Sequence, residues 1–232
     1  MSNHVLITGH SKGVGKKVAE MLLLKNYQVT GIARSMLPEH HNLTQFSADL
    51  SVENEINKVC NYLNNKKFNV VLLNAGFNRI KPAESYSIDE IIRITNVNYT
   101  SQAAILNTCL PALLNNKGRV IGMGSISGKE VARWNNFYGA SKASMNHLLN
   151  NYFEQYRKQN LKVTTIVPDI INSEFYQEQD FEPSTNDDAY INVNDIAELI
   201  VDLIESKKNY NLSEIVIKPQ RFEINRKKTD SK

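Results

Sequence analysis

The chain has 232 residues, 41% apolar and 22% charged, which is the composition of an ordinary globular protein long enough for one sizeable core. Its formal net charge of +3 resides in Pro219 to Lys232, where five basic side chains meet two acidic ones. The remainder balances to zero and leaves no basic face for nucleic acid or a membrane surface.

In chain order, short apolar runs alternate with helical periods. His4 to Thr8 reads as a buried strand, Val14 to Lys25 as a helix, and Gln28 to Ala33 and Leu43 to Ser47 as two strands. Val52 to Asn64 is helical, with Ile56, Val59, Cys60 and Leu63 on one stripe; Val70 to Leu73 is the fourth strand. Ile88 to Leu114 reads as one long helix bent near Pro111, Arg119 to Met123 as a strand, and Asn136 to Gln159 as another long helix. Val163 to Val167 is a strand ended by Pro168; Asp169 to Tyr190 has no clean period and reads as a loop or lid. A helix over Val193 to Glu205, opened by Asn192 and Asn194, and a strand over Glu214 to Lys218 complete the pattern. Near-continuous apolar strands separated by amphipathic helices predict a single-domain α/β doubly wound fold, with seven parallel strands covered on both faces and a ligand crevice at their carboxyl ends. The expected division is a Rossmann-type unit over 1–218 and a solvated basic tail over 219–232.

The two cysteines, Cys60 and Cys109, have no CxxC spacing, and the five histidines have no ligand spacing, so neither a disulfide nor a metal site is expected. No apolar stretch approaches the ~18 residues of a membrane span, and no leader is read before the first strand. The cytoplasm is therefore the expected compartment.

The first strand runs into TGHSKGVG, with Gly9, Gly13 and Gly15 between strand and helix. Glycines there permit a tight turn, close backbone approach to a pyrophosphate and close helix–strand packing, while the helix N-terminus offers free N–H groups to phosphate. Ser11, Lys12 and Val14 belong to the same loop. The second strand ends Ala33-Arg34-Ser35, and no acid follows until Glu39. An acid there would bond a ribose diol; Arg34 and Lys12 instead suit a 2′-phosphate, which predicts NADP(H) over NAD.

The glycine loop, LNAG at Leu73 to Gly76, Ser125, and Tyr138-Gly-Ala-Ser-Lys142 together resemble the short-chain dehydrogenase/reductase family over nearly the whole chain. The chemistry of the set is coherent. Tyr138 and Lys142 stand at i and i+4 on one predicted helix, so an ammonium can favour phenolate and the phenol can exchange a proton with a substrate oxygen. Ser125 follows the fifth strand and can hold that oxygen. The resemblance further implies that Lys142 bonds the nicotinamide ribose and that Asn98 supports a water relay to Lys142. It implies that Asn74, Ala75 and Gly76 lie under the cofactor, that Asp49 and Leu50 meet the adenine, and that Pro168 and Ile171 meet the nicotinamide side. Asp169 stands where the family usually has glycine, and Ser173 where it often has threonine.

The expected pocket walls are Asn78 to Pro82, Ile126 to Phe137 and the lid, with Trp134, Phe137, Phe175 and Tyr176 lining them; Lys129 and Arg133 read as solvent-exposed. A small carbonyl or alcohol substrate is expected, with a ketone, aldehyde, 3-oxoacyl thioester or keto-sugar all open. The resemblance implies a homodimer or homotetramer through the two long helices. A non-catalytic nucleotide-binding regulator or scaffold on the same fold is the alternative, disfavoured by the complete Ser125, Tyr138 and Lys142 set. An extended epimerase-type relative is disfavoured by the glycine spacing and the short chain.

Overall fold

The computed structural model describes residues 3–227. Strand β1 (His4–Thr8), helix α1 (Gly13–Leu24), β2 (Gln28–Ala33), β3 (Leu43–Ser47), α2 (Glu53–Leu63) and β4 (Val70–Leu73) form the first half. The second half continues through α3 (Ile88–Thr95), α4 (Ser101–Asn115), β5 (Arg119–Met123), α5 (Asn136–Tyr156) and β6 (Lys162–Pro168). A long connection carries β7 (Ile171–Asn172), β8 (Phe181–Pro183) and β9 (Ile191–Asn192), followed by α6 (Val193–Glu205), β10 (Glu214–Ile217) and β11 (Ile224–Arg226).

Seven strands form one parallel sheet in the order β3-β2-β1-β4-β5-β6-β10. Alternation within the strands divides the core. Leu6, Val71 and Val120 face a cluster completed by Val59 and Leu63 of α2, Ile105 and Leu113 of α4, and Met145 and Leu149 of α5. Val5, Ile7, Leu72 and Ile121 face the opposite cluster, with Val18 and Leu22 of α1 and Ile196 and Ile200 of α6. Each such buried aliphatic side chain contributes about 1.5–3 kcal/mol, so the sheet is fixed from both sides. The strand order reverses at β1, which opens the crevice above β1 and β4.

Three expectations change. Pro111 lies inside α4, and the long helical stretch is interrupted instead by a π turn over Asn96–Thr100. At that turn the Val97 carbonyl accepts bonds from Ser101 Oγ at 3.1 Å and Gln102 Nε2 at 3.0 Å; polar side chains at this point make the wider turn tolerable. The lid over Asp169 to Tyr190 is not irregular throughout, since it carries β7 and β8. Finally, residues 219–227 are largely exposed but carry structure of their own. Strand β11 pairs antiparallel with β8, Ile224 opposite Pro183 and Arg226 opposite Phe181. Lys228 and Lys232, the remaining cations of that segment, lie outside the described residues.

Candidate active site

The floor of the crevice is tied together by buried polar groups. Thr8 Oγ1 accepts the Asn74 and Ala75 N–H groups at 2.9 and 3.0 Å and donates to Gln102 Oε1 at 2.8 Å. Asn74 Nδ2 returns bonds to the carbonyls of Thr8 and Gly9. A Cβ on Gly15 would stand 2.3 Å from the Gly9 carbonyl oxygen and 2.5 Å from Asn74 Nδ2, so only glycine lets α1 start this close to β1. Gly9 and Gly13 have φ of +71° and +50°, backbone that glycine adopts at no steric cost. The fully buried His10 is a component that sequence reasoning missed. Its Nε2 meets Gln45 Oε1 at 2.8 Å, and Gln45 brackets the Leu37 backbone. A Cβ on Gly31 would stand 2.3 Å from the His10 ring; a glycine within an apolar strand was the available signal of that close approach.

No side chain caps α1, and its first residues Gly13 and Val14 line the crevice, an arrangement that suits an anion. Beside it, Ser11 and Ser35 hydroxyls bond at 3.0 Å, and the exposed Lys12 and Arg34 flank them. Asp49 Oδ1 accepts both the N–H and the hydroxyl of Ser51. Burial would raise that carboxyl, but the two Ser51 bonds and the nearby Arg34 and Arg93 hold it below its ordinary value.

At the other end stand Ser125, Tyr138 and Lys142, each under a tenth exposed. Ser125 Oγ accepts the Ser127 N–H at 3.2 Å. Burial pushes the Tyr138 phenol up to about 12, opposed by its hydrogen bond with Ser125. Burial pushes the Lys142 ammonium down to about 8. Lys142 does not lower the phenol in this arrangement: its Nζ donates to the Met123 carbonyl at 2.7 Å and lies 5.8 Å from the Tyr138 ring centre. The π turn brings in Asn98, whose Oδ1 accepts the Phe77 N–H at 2.7 Å and whose Nδ2 donates to the Phe77 carbonyl and Ser141 Oγ.

One cleft of about 1510 Å³ joins both ends. It is lined by Gly9, Ser11, Lys12, Gly13, Val14, Arg34, Asp49 and Leu50 at one end and by Asn74, Ala75, Gly76, Ser125, Tyr138, Lys142, Pro168 and Ile171 at the other. Gly15 and Asn98 lie behind its wall and shape it through the contacts above. Asn78, Ile126, Trp134, Phe175 and Tyr176 also line it. Phe137 instead meets Tyr86 edge to face, with ring centres 4.8 Å apart, and Lys129 pairs with Glu214. Arg133 lines the cleft with its guanidinium over Trp134. Asp169 does not adopt a left-handed backbone; its N–H bonds the Ile217 carbonyl at 2.9 Å, and burial raises its carboxyl against the pull of Lys218. Residues 218–227, which sequence reasoning left outside the site, contribute Phe222, Ile224 and Arg226 to the wall. Among the described residues no cluster of three or more His, Cys, Asp or Glu could hold a metal, and no helix is long and apolar enough to cross a membrane.

The sequence profile of the short chain dehydrogenase family matches residues 3–183. An oxidoreductase of Staphylococcus epidermidis is 23% identical over 224 residues, which is 92% of this chain and 96% of that protein. An alcohol dehydrogenase from the archaeon Thermococcus sibiricus, solved with 5-hydroxy-NADP, superposes with a TM-score of 0.83 at 20% identity over 96% of this chain and all, 100%, of the other. A 4-hydroxyisoleucine dehydrogenase solved with NADH gives 0.84 at 21% identity, over 94% and 98% of the two chains. With the profile covering most of its length and the fold shared with such enzymes, the chain belongs to the short-chain dehydrogenase/reductase family.

Proposed function

We propose that this protein is an NADP(H)-dependent oxidoreductase that interconverts a carbonyl and an alcohol on a small molecule, with NADPH-driven reduction of a ketone or 3-oxoacyl group as its main direction. The observation that carries this reading is the single cleft that joins an uncapped helix N-terminus to Ser125, Tyr138 and Lys142. A dinucleotide fits the residues present. Gly13 lines the cleft with no side chain of its own, Ser173 Cβ and Glu174 Oε2 standing 3.7 and 3.8 Å from a Cβ placed there, and a helix start without a side-chain cap suits a pyrophosphate. Lys12 and Arg34 supply cations for a 2′-phosphate, while the carboxylate of Asp49 is already engaged by Ser51. The Thermococcus relative carries an NADP analogue and the 4-hydroxyisoleucine enzyme NADH, so the choice of NADP rests on those two cations.

When bound, the nicotinamide supplies or accepts the hydride. The proton is handled by this chain: in reduction Tyr138 Oη gives it to the substrate oxygen, which Ser125 Oγ holds by a hydrogen bond. Lys142, as ammonium, stabilises the phenolate left behind and would bond ribose hydroxyls of the bound cofactor. Asn98 is a positioning residue, since its amide is occupied by Phe77 and Ser141. A scaffold would not need these groups together. NADPH oxidation measured over a panel of ketones, aldehydes, acyl thioesters and keto-sugars tests the reading. Turnover of at least one carbonyl, faster with NADPH than NADH, is expected; inertness toward the whole panel despite cofactor binding would overturn it. The same reading holds that copies pair through α4 and α5, for which light scattering should return a dimer or tetramer.

A further inference from the structure

Two neighbouring lid residues stand at the two places that the proposed dinucleotide needs. Glu174 Oε2 lies 3.8 Å from the point a Cβ on Gly13 would occupy, which puts a carboxylate beside the first residue of α1 without capping it. The edge of the Phe175 ring lies 3.6 Å from the corresponding point on Gly76, around which Asn98 Oδ1 at 3.6 Å and Lys142 Nζ at 3.7 Å also gather. The same ring is 6.0 Å, centre to centre, from Tyr138. An anion at the helix N-terminus and a flat ring beside Lys142 are the features a pyrophosphate and a nicotinamide present.

The lid is fastened on both sides. Gln179, buried, donates to the Asn78 carbonyl at 2.9 Å and accepts the Ile80 N–H at 3.0 Å, and Arg79 bonds both the carbonyl and the carboxylate of Glu178. From the other side Lys227 Nζ donates to the carbonyls of Tyr176 at 2.7 Å and Gln177 at 2.9 Å, its N–H bonds the Asp180 carbonyl, and β11 pairs with β8.

We propose that Glu174 and Phe175 form a built-in plug in the cofactor's own seat, which a dinucleotide must displace, and that the C-terminal strand with Lys227 is the latch that sets how readily it yields. The proposal rests on the dinucleotide reading above. Glu174 does not cap the helix, but its carboxylate beside Gly13 repels an incoming phosphate and the Phe175 ring fills the space beside Lys142, and a segment held in the seat lowers apparent affinity by the fraction of molecules in which the seat is free. It also gives the basic C-terminal segment a role that its composition alone did not suggest.

The test uses the single tryptophan, Trp134, which lines the cleft. Energy transfer from it to NADPH is followed by titration and stopped flow for the full-length wild type, Phe175→Ala, Glu174→Gln and Lys227→Met. If the plug holds about nine-tenths of the molecules, Phe175→Ala should bind NADPH roughly tenfold more tightly and associate faster. Glu174→Gln and Lys227→Met should move the same way by about two- to threefold each, on the same population arithmetic. A lid that merely closes over bound cofactor predicts the opposite sign, because removing the ring or the latch would weaken binding. Equal or weaker affinity in Phe175→Ala and Lys227→Met, with wild type binding normally, overturns the plug alone. Failure of the wild type and every variant to bind NADPH or NADH overturns the dinucleotide reading and the plug with it. Lys227→Met removes the two bonds to the Tyr176 and Gln177 carbonyls, so it answers the question even if Phe175→Ala does not fold.

Discussion

The floor and the roof of the cleft are built in opposite ways. In the floor, Thr8, Gln102 and Asn98 are at most 1% exposed; Thr8 and Asn98 bond the backbone of residues 72–77, and Gln102 bonds Thr8 and the Val97 carbonyl. In the roof, the tethers include surface ion pairs, Arg79 with Glu178 at 3.0 Å and Arg221 with Asp188 at 2.9 Å, and the wall includes Phe222, which is 69% exposed. Buried, paired polar groups are costly to disturb, whereas exposed ion pairs contribute about 0–1 kcal/mol each. The floor therefore holds the reacting groups in one geometry, and the roof can exchange partners without threatening the fold.

The sharpest way to break this contrast is Gly15→Ala. Its Cβ would stand 2.3 Å from a backbone oxygen, so a loss of about 3 kcal/mol is expected in denaturant unfolding, together with loss of dinucleotide binding. Gly13→Ala has space but a φ of +50°, so it should cost only about 1–2 kcal/mol. Asn98→Ala leaves the Phe77 N–H and carbonyl without their buried partner and should destabilise by about 2 kcal/mol; an unchanged midpoint would remove the rigid floor from the account.

The titrating pair gives a sign to check. Lys142 is held at about 8, below its ordinary 10.5, so between those values the unfolded chain carries a proton that the folded chain has released. The penalty of burying this charge is full below pH 8 and fades above it, so stability should rise with pH there. Tyr138, raised from 10 to about 12, acts oppositely: the folded chain keeps a proton that the unfolded chain loses, and stability should fall as pH rises above 10. Unfolding midpoints at pH 7, 8.5 and 9.5 should rise in the wild type and stay flatter in Lys142→Met; parallel curves would contradict the burial of that charge. Lys12→Ala with Arg34→Asp should lower the NADPH-to-NADH preference by about 10- to 100-fold, the loss of one or two charge-assisted contacts. Smallest of all, Arg79→Ala in the roof should shift stability by less than about 1 kcal/mol.

The floor was the half most legible in the sequence. Glycine spacing, apolar strands and the Tyr138–Lys142 pair depend on local pattern and period, which survive without tertiary context. The π turn was not legible, because Pro111 is the louder local signal while the frame shift at Asn96 to Thr100 is compensated by Ser101 and Gln102 from within the helix. His10 was missed because its burial depends on Gly31 one strand away. The C-terminal strand was hidden by its charge; only Phe222 and Ile224, two apart, hinted at a face, and its partner Phe181–Pro183 is some forty positions earlier.

The central claim is that the Tyr138 hydroxyl gives the substrate its proton inside a cleft that binds the dinucleotide independently. Single-turnover NADPH oxidation by Tyr138→Phe, beside an NADPH titration of the same protein, tests it most directly. The account predicts a fall of about 10²- to 10⁴-fold in the chemical step with the dissociation constant changed by less than about threefold, a fraction of one hydrogen bond's net worth. Turnover at the wild-type rate with the phenol removed would contradict it.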